Sequence, residues 1–65
     1  MNLSIIIPCL NEEKYIKNCI NSILLNDYPK ENYEIIIVDG GSSDNTLTIL
    51  NELKTSIKEV QIKIL

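Results

Sequence analysis

The chain has no histidine, two cysteines, two glycines and two prolines among its 65 residues, and its six basic residues are outnumbered by nine acidic ones. Each shortage removes a class of protein. Without histidine, and with Cys9 and Cys19 in neither a metal-type nor a redox-type spacing, zinc centres and dithiol catalysis fall away, and free thiols in a reducing compartment are expected. A formal net charge of −3, with the lysines scattered, gives no basic patch to neutralise phosphates, so no nucleic-acid partner is expected. Apolar runs of a few residues are far short of the roughly 20 needed to span a bilayer, so no transmembrane segment is expected. Met1-Asn2-Leu3-Ser4 carries no basic region, and Pro8 and Asn11 interrupt the apolar run that a secretory signal needs. A cytoplasmic location is expected, at the cytoplasmic face of the membrane in a longer form. Nor is there a staple: a globule this small buries only roughly 60% of its unfolded surface and is marginal alone.

What is present is organised around two branched-aliphatic runs, Ile5-Ile6-Ile7 and Ile35-Ile36-Ile37-Val38, each ending in polar residues. Such runs belong to buried parallel strands, and ligands of open α/β sheets bind beyond the carboxyl ends of the strands. Leu3 to Pro8 reads as the first strand. Asn11 suits a helix N-cap, with Glu12 and Glu13 where a helix dipole favours anions. Tyr15, Ile16, Cys19, Ile20, Ile23 and Leu24 then recur at helical spacing on one face. Asn26-Asp27-Tyr28-Pro29 ends that helix. Tyr33 to Val38 is the second strand, Ser42 or Ser43 caps a second helix with Leu47, Leu50, Leu53 and Ile57 inward, and Glu59 to Leu65 alternates like a strand with one wet face.

The order βαβαβ, with right-handed crossovers, gives an α/β fold with a parallel, Rossmann-like sheet of strand order 3-2-1. Two crossovers in the same direction put both helices on one face of the sheet. The other face and the free side of the first strand are left uncovered, so residues 1–65 read as the amino-terminal portion of a larger α/β domain.

The loop Gly40-Gly41-Ser42-Ser43-Asp44 offers backbone N–H groups and a helix start to a phosphate. It matches neither the dinucleotide fingerprint nor the Walker pattern. Asp39, at the end of a central strand, can accept hydrogen bonds from a base or ribose. It also suits an Asx turn closed by the Gly41 or Ser42 amide. Glu12 is equally suited to a ligand and to the helix dipole. Composition and spacing stop at a nucleotide-type ligand at the strand ends.

Two longer runs carry a family resemblance. Ser4-Ile5-Ile6-Ile7-Pro8-Cys9-Leu10-Asn11-Glu12-Glu13, followed after one helix by Tyr33-Glu34-Ile35-Ile36-Ile37-Val38-Asp39-Gly40-Gly41-Ser42-Ser43-Asp44-Asn45-Thr46, resembles the opening of a family 2 glycosyltransferase. The resemblance covers nearly the whole chain. It implies the front part of an A-type glycosyltransferase domain that binds a UDP- or GDP-linked nucleoside-diphosphate sugar and transfers the sugar to an acceptor, with Mg²⁺ or Mn²⁺ held by an Asp-x-Asp motif. By the resemblance, Pro8 to Leu10 pass the base and ribose, Glu12 approaches the nucleoside, Asp39 accepts a hydrogen bond from the base, and Gly41 belongs to the nucleotide-binding set. Leu10 stands where many relatives carry an aromatic residue, so apolar contact replaces stacking on the base. Gly40 stands where many carry a second aspartate, which removes an acidic contact. No Asp-x-Asp triplet occurs in the chain, so metal site, acceptor site and catalytic base are expected beyond these residues, and the 65-residue chain alone is expected to be inactive. Two other readings stay open: a non-catalytic nucleotide-sensing or receiver-like module, and an inactive truncated remnant.

Overall fold

Branched aliphatic residues are stiff at χ1 and pack well on a pleated surface, and the runs that contain them become the two long strands. In the computed structural model, which describes residues 3–65, β1 spans Leu3–Cys9, α1 Ile16–Leu24, a 3₁₀ turn Lys30–Asn32, β2 Tyr33–Asp39, α2 Thr46–Ser56 and β3 Gln61–Ile64. Met1 and Asn2, read above as part of an amino end without a basic region, lie outside the described residues. The three strands form one parallel sheet in the order β1-β2-β3, the order expected. β1 and β2 run in step from Leu3 opposite Tyr33 to Cys9 opposite Asp39. Their carboxyl ends therefore lie side by side, and so do the two loops that follow.

Alternation along the strands separates the two faces. On one face Cys9, Tyr33, Ile35, Ile37 and Ile62 are buried against Ile16 and Ile20 of α1 and Leu50 and Leu53 of α2, with Ile5, Ile7 and Ile64 packed beside them. The other face is open: Ile6 is 64% and Val38 41% exposed. At the amino end of that open face Glu34 accepts the Ser4 hydroxyl at 2.7 Å and lies 3.1 Å from the Lys63 ammonium. The Ser4 hydroxyl, then Lys63, hold the Glu34 carboxyl below its ordinary pKa.

Several expectations are corrected. α1 starts at Ile16, four residues later than an N-cap at Asn11 requires. The Glu12 carbonyl accepts both the Tyr15 and Ile16 amides, at 2.9 and 2.8 Å, so residues 12–15 form a separate turn. Asn11 instead adopts a left-handed conformation, φ 52°, which asparagine tolerates better than most residues. The inward stripe of α1 is Ile16, Ile20, Ile23 and Leu24. Tyr15 is 67% exposed and Cys19 is exposed, because α2 covers the other flank and leaves theirs to solvent. In α2 the inward positions are Thr46, Leu50 and Leu53, with Ile57 packed at the end, whereas Leu47 is 42% exposed. Thr46 takes the phase that a purely apolar pattern assigned to Leu47. In the turn that follows α1, the Tyr28 ring stands edge-on to Tyr33 at 6.1 Å.

Candidate functional site at the carboxyl ends of β1 and β2

Because Cys9 and Asp39 are paired in register, the loops at residues 10–15 and 40–45 leave the sheet as neighbours. Asp39 organises the second of them. Its Oδ2 accepts the Gly41 amide at 3.2 Å and the Ser42 amide at 3.0 Å, while Oδ1 accepts the Ser42 hydroxyl and, at 3.7 Å, the Cys9 thiol. A carboxylate has about four lone-pair sites, so the loop and the thiol engage the whole group. The turn requires Gly41, whose φ of +97° lies where a side chain is strained. The Ser42 hydroxyl, then the Ser42 and Gly41 amides and the Cys9 thiol, hold Asp39 below its ordinary pKa. The Cys9 thiol is pushed up, first by burial and then by the Asp39 charge. A neutral thiol beside an ionised carboxylate is the state these shifts describe.

The first loop is laced to the second. The Asn11 amide donates to the Ser42 Oγ at 3.0 Å, and the Asn11 side-chain oxygen accepts the Ser43 amide at 2.8 Å. The Glu12 amide donates to the Thr46 Oγ1 at 2.8 Å, and the Glu13 amide to the Asp44 Oδ2 at 3.3 Å. Asp44, not Ser42 or Ser43, takes the free amide of the α2 start: its Oδ1 accepts the Thr46 N–H at 2.9 Å. Ser42 and Ser43 are drawn off by Asp39 and Asn11, which is why neither caps. The Thr46 hydroxyl is the first cause that holds Asp44 below its ordinary pKa.

Among the expected site residues, Asp39 and Gly41 sit together in one turn, and Leu10 lies over it. A Cβ placed on Gly40 would be 3.8 Å from the Leu10 side chain and 3.5 Å from the Cys9 carbonyl, both ordinary contacts. Leu10 is 53% exposed, an apolar side chain presented to whatever occupies the loops. Glu12 is half-buried, its backbone fixed by Thr46. Pro8 is set apart: it pairs with Val38 and faces the open side of the sheet, because Cys9 takes the covered face. Asn11 and Thr46 carry the loop geometry and were not singled out as site residues. The signal for Thr46 was its place two residues after Asp44, where a hydroxyl and an amide can share one carboxylate.

The arrangement gives an apolar shelf and, at the strand ends, the carboxylates of Asp39 and Asp44; the loop amides expected to be open to a phosphate are instead taken, Gly40 by the Cys9 carbonyl, Gly41 and Ser42 by Asp39, and Ser43 by Asn11. A divalent-metal site is not among its features: among the described residues no group of three or more Cys, Asp or Glu side chains is close enough to hold an ion. No helix among them is long and apolar enough to cross a membrane.

The family model described as glycosyl transferase family 2 matches residues 4–65. Over 62 residues the chain is 53% identical to the dolichyl N-acetyl-alpha-D-glucosaminyl phosphate 3-beta-D-2,3-diacetamido-2,3-dideoxy-beta-D-glucuronosyltransferase of Methanococcus voltae, covering 95% of this chain and 19% of that protein. The crystal structure of Staphylococcus aureus TarS 1–349 in complex with UDP-GlcNAc superimposes with a TM-score of 0.86 at 35% identity, over 100% of this chain and 18% of that one. The mannosyltransferase PcManGT from Pyrobaculum calidifontis, in complex with GDP-Man and Mn²⁺, gives a TM-score of 0.93 at 23% identity over 98% of this chain and 19% of its own, a likeness of fold. The chain thus spans between about a tenth and a fifth of the length of the curated relatives it matches.

Proposed function

We propose, from the fact that this chain belongs to glycosyl transferase family 2, that it forms the nucleotide-binding front portion of an A-type enzyme that transfers a sugar from a nucleoside-diphosphate donor to an acceptor. The observation that carries the proposal is the shared site of the two loops, held side by side by the Cys9–Asp39 register and laced by Asn11 and Thr46. The structure of TarS with UDP-GlcNAc supports it by similarity across the whole of this chain. In this reading Leu10 lies against the base, and Asp39 accepts a base N–H on Oδ1 as the Ser42 hydroxyl turns away. The Gly41 turn keeps side chains clear of the nucleotide. Pro8, inside β1 and on the open face of the sheet, is the residue of the expected set that the geometry favours least, and Glu12 stands at the nucleoside edge. The family match disfavours a receiver-like module.

Chemistry beyond binding is assigned elsewhere. Departure of a nucleoside diphosphate builds negative charge that a metal or cationic clamp must meet, and the described residues hold no metal site. The protein that carries this chain is expected to release UDP or GDP from a nucleotide sugar, and the 65-residue chain alone to release none above a heat-killed control. A coupled nucleoside-diphosphate assay on both decides it. Turnover by the 65-residue chain would overturn the division of labour. A full-length protein inert with every UDP- and GDP-sugar tried would support the reading of an inactive remnant.

A further inference from the structure

Thr46 is a polar residue with 0% exposure, and its hydroxyl serves two partners. The single proton goes to the Asp44 Oδ1, which leaves a lone pair directed at the Glu12 amide, 2.8 Å away. The same Asp44 holds the next amide, that of Glu13, on its other oxygen. The start of α2 therefore grips two consecutive amides of the loop after β1. Up to Cys9 the height of that chain is set by the β1–β2 ladder, and beyond it by the Asn11 bonds to Ser42 and Ser43 together with this grip.

We infer that Thr46 is a positioning residue of the nucleotide site: it touches no ligand, but its buried hydroxyl fixes the loop bearing Leu10 and Glu12 at one height over the Asp39 turn. The inference rests on the reading that these two loops hold a nucleotide. Valine has nearly the shape of threonine but neither donates to Asp44 nor accepts from Glu12. Without that acceptor the Glu12 amide is left unpaired beside a packed core, and the loop must lift to find water. Serine keeps both bonds.

The test uses the full-length protein with UDP and GDP as probes. Thr46→Val is expected to raise the Kd for the preferred nucleotide about tenfold and to speed amide exchange across residues 10–14, while Thr46→Ser keeps most of the affinity. Ile20→Val, which thins the core under α1, is expected to lower the thermal midpoint without moving the Kd; this separates lost positioning from lost stability. In the unmodified protein the Glu12 amide is expected to exchange slowly, a readout that needs no variant. Exchange at the rate of a free amide would overturn the inference. Unchanged affinity in Thr46→Val, with the parent binding normally, would overturn the inference alone. A parent protein that binds neither UDP nor GDP would overturn the nucleotide reading and the inference with it.

Discussion

Asp39→Asn is expected to weaken UDP or GDP binding by about tenfold to a hundredfold while leaving the fold in place. The turn itself survives the change. The asparagine oxygen can still accept the Gly41 and Ser42 amides, and its NH₂ can donate to the Ser42 hydroxyl and the Cys9 sulfur, since both of those atoms also accept. What is lost is the negative charge and the Oδ1 acceptor that a ligand N–H would take as the Ser42 hydroxyl turns away. A hydrogen bond to a charged group is among the stronger ones, and that size sets the expected range. Glu12→Gln should cost less, because no partner in the described loops holds its carboxylate in one place and solvent competes for it. Calorimetric titration with UDP and GDP checks both. An unchanged affinity in Asp39→Asn would leave Asp39 with the turn as its whole role.

The second large effect concerns the core beneath the site. Leu50 has 0% exposure at the middle of α2, packed among Ile20, Ile35 and Ile37, and truncating such a leucine to alanine costs about 2–5 kcal/mol, transfer and cavity together. A native domain holds only about 5–15 kcal/mol in all. Leu50→Ala should therefore lower the thermal midpoint of the protein that carries this chain by at least about 4 °C. Leu47→Ala, about one turn earlier at the edge of the inward stripe and 42% exposed, should stay within about 0.5 kcal/mol. Calorimetric melting separates them. Equal losses at the two positions would mean that the phase of α2 differs from the one described.

The strands and their order were legible in the sequence because runs of isoleucine and valine admit few other readings, and the handedness of βαβ crossovers then fixes both the 3-2-1 order and the open face. The two loops were legible for the same reason, as the polar residues that follow those runs. The way the loops are built was not. Asparagine favours both an N-cap and a left-handed turn, and only the neighbouring Ser43 amide, 32 positions away, decides for the turn at Asn11. Thr46 escaped a search by apolar periodicity because its burial depends on two bonds to residues in different loops. Tyr15 and Cys19 have inward-looking spacing, yet lie on the flank of α1 that α2 does not reach. Local preference sets what each residue can do; long-range partners choose among the options.

The site itself is tested most directly by hydrogen–deuterium exchange of the full-length protein with and without saturating UDP or GDP. Protection is expected to rise in segments 8–12 and 39–44 together, because Cys9–Asp39 pairing and the Asn11–Ser43 and Glu12–Thr46 bonds make the two loops one surface. The outer face of α2, around Thr48 and Glu52, should not change. Protection confined to that helix face, or to sequence outside both loops, would contradict a nucleotide site at the carboxyl ends of β1 and β2.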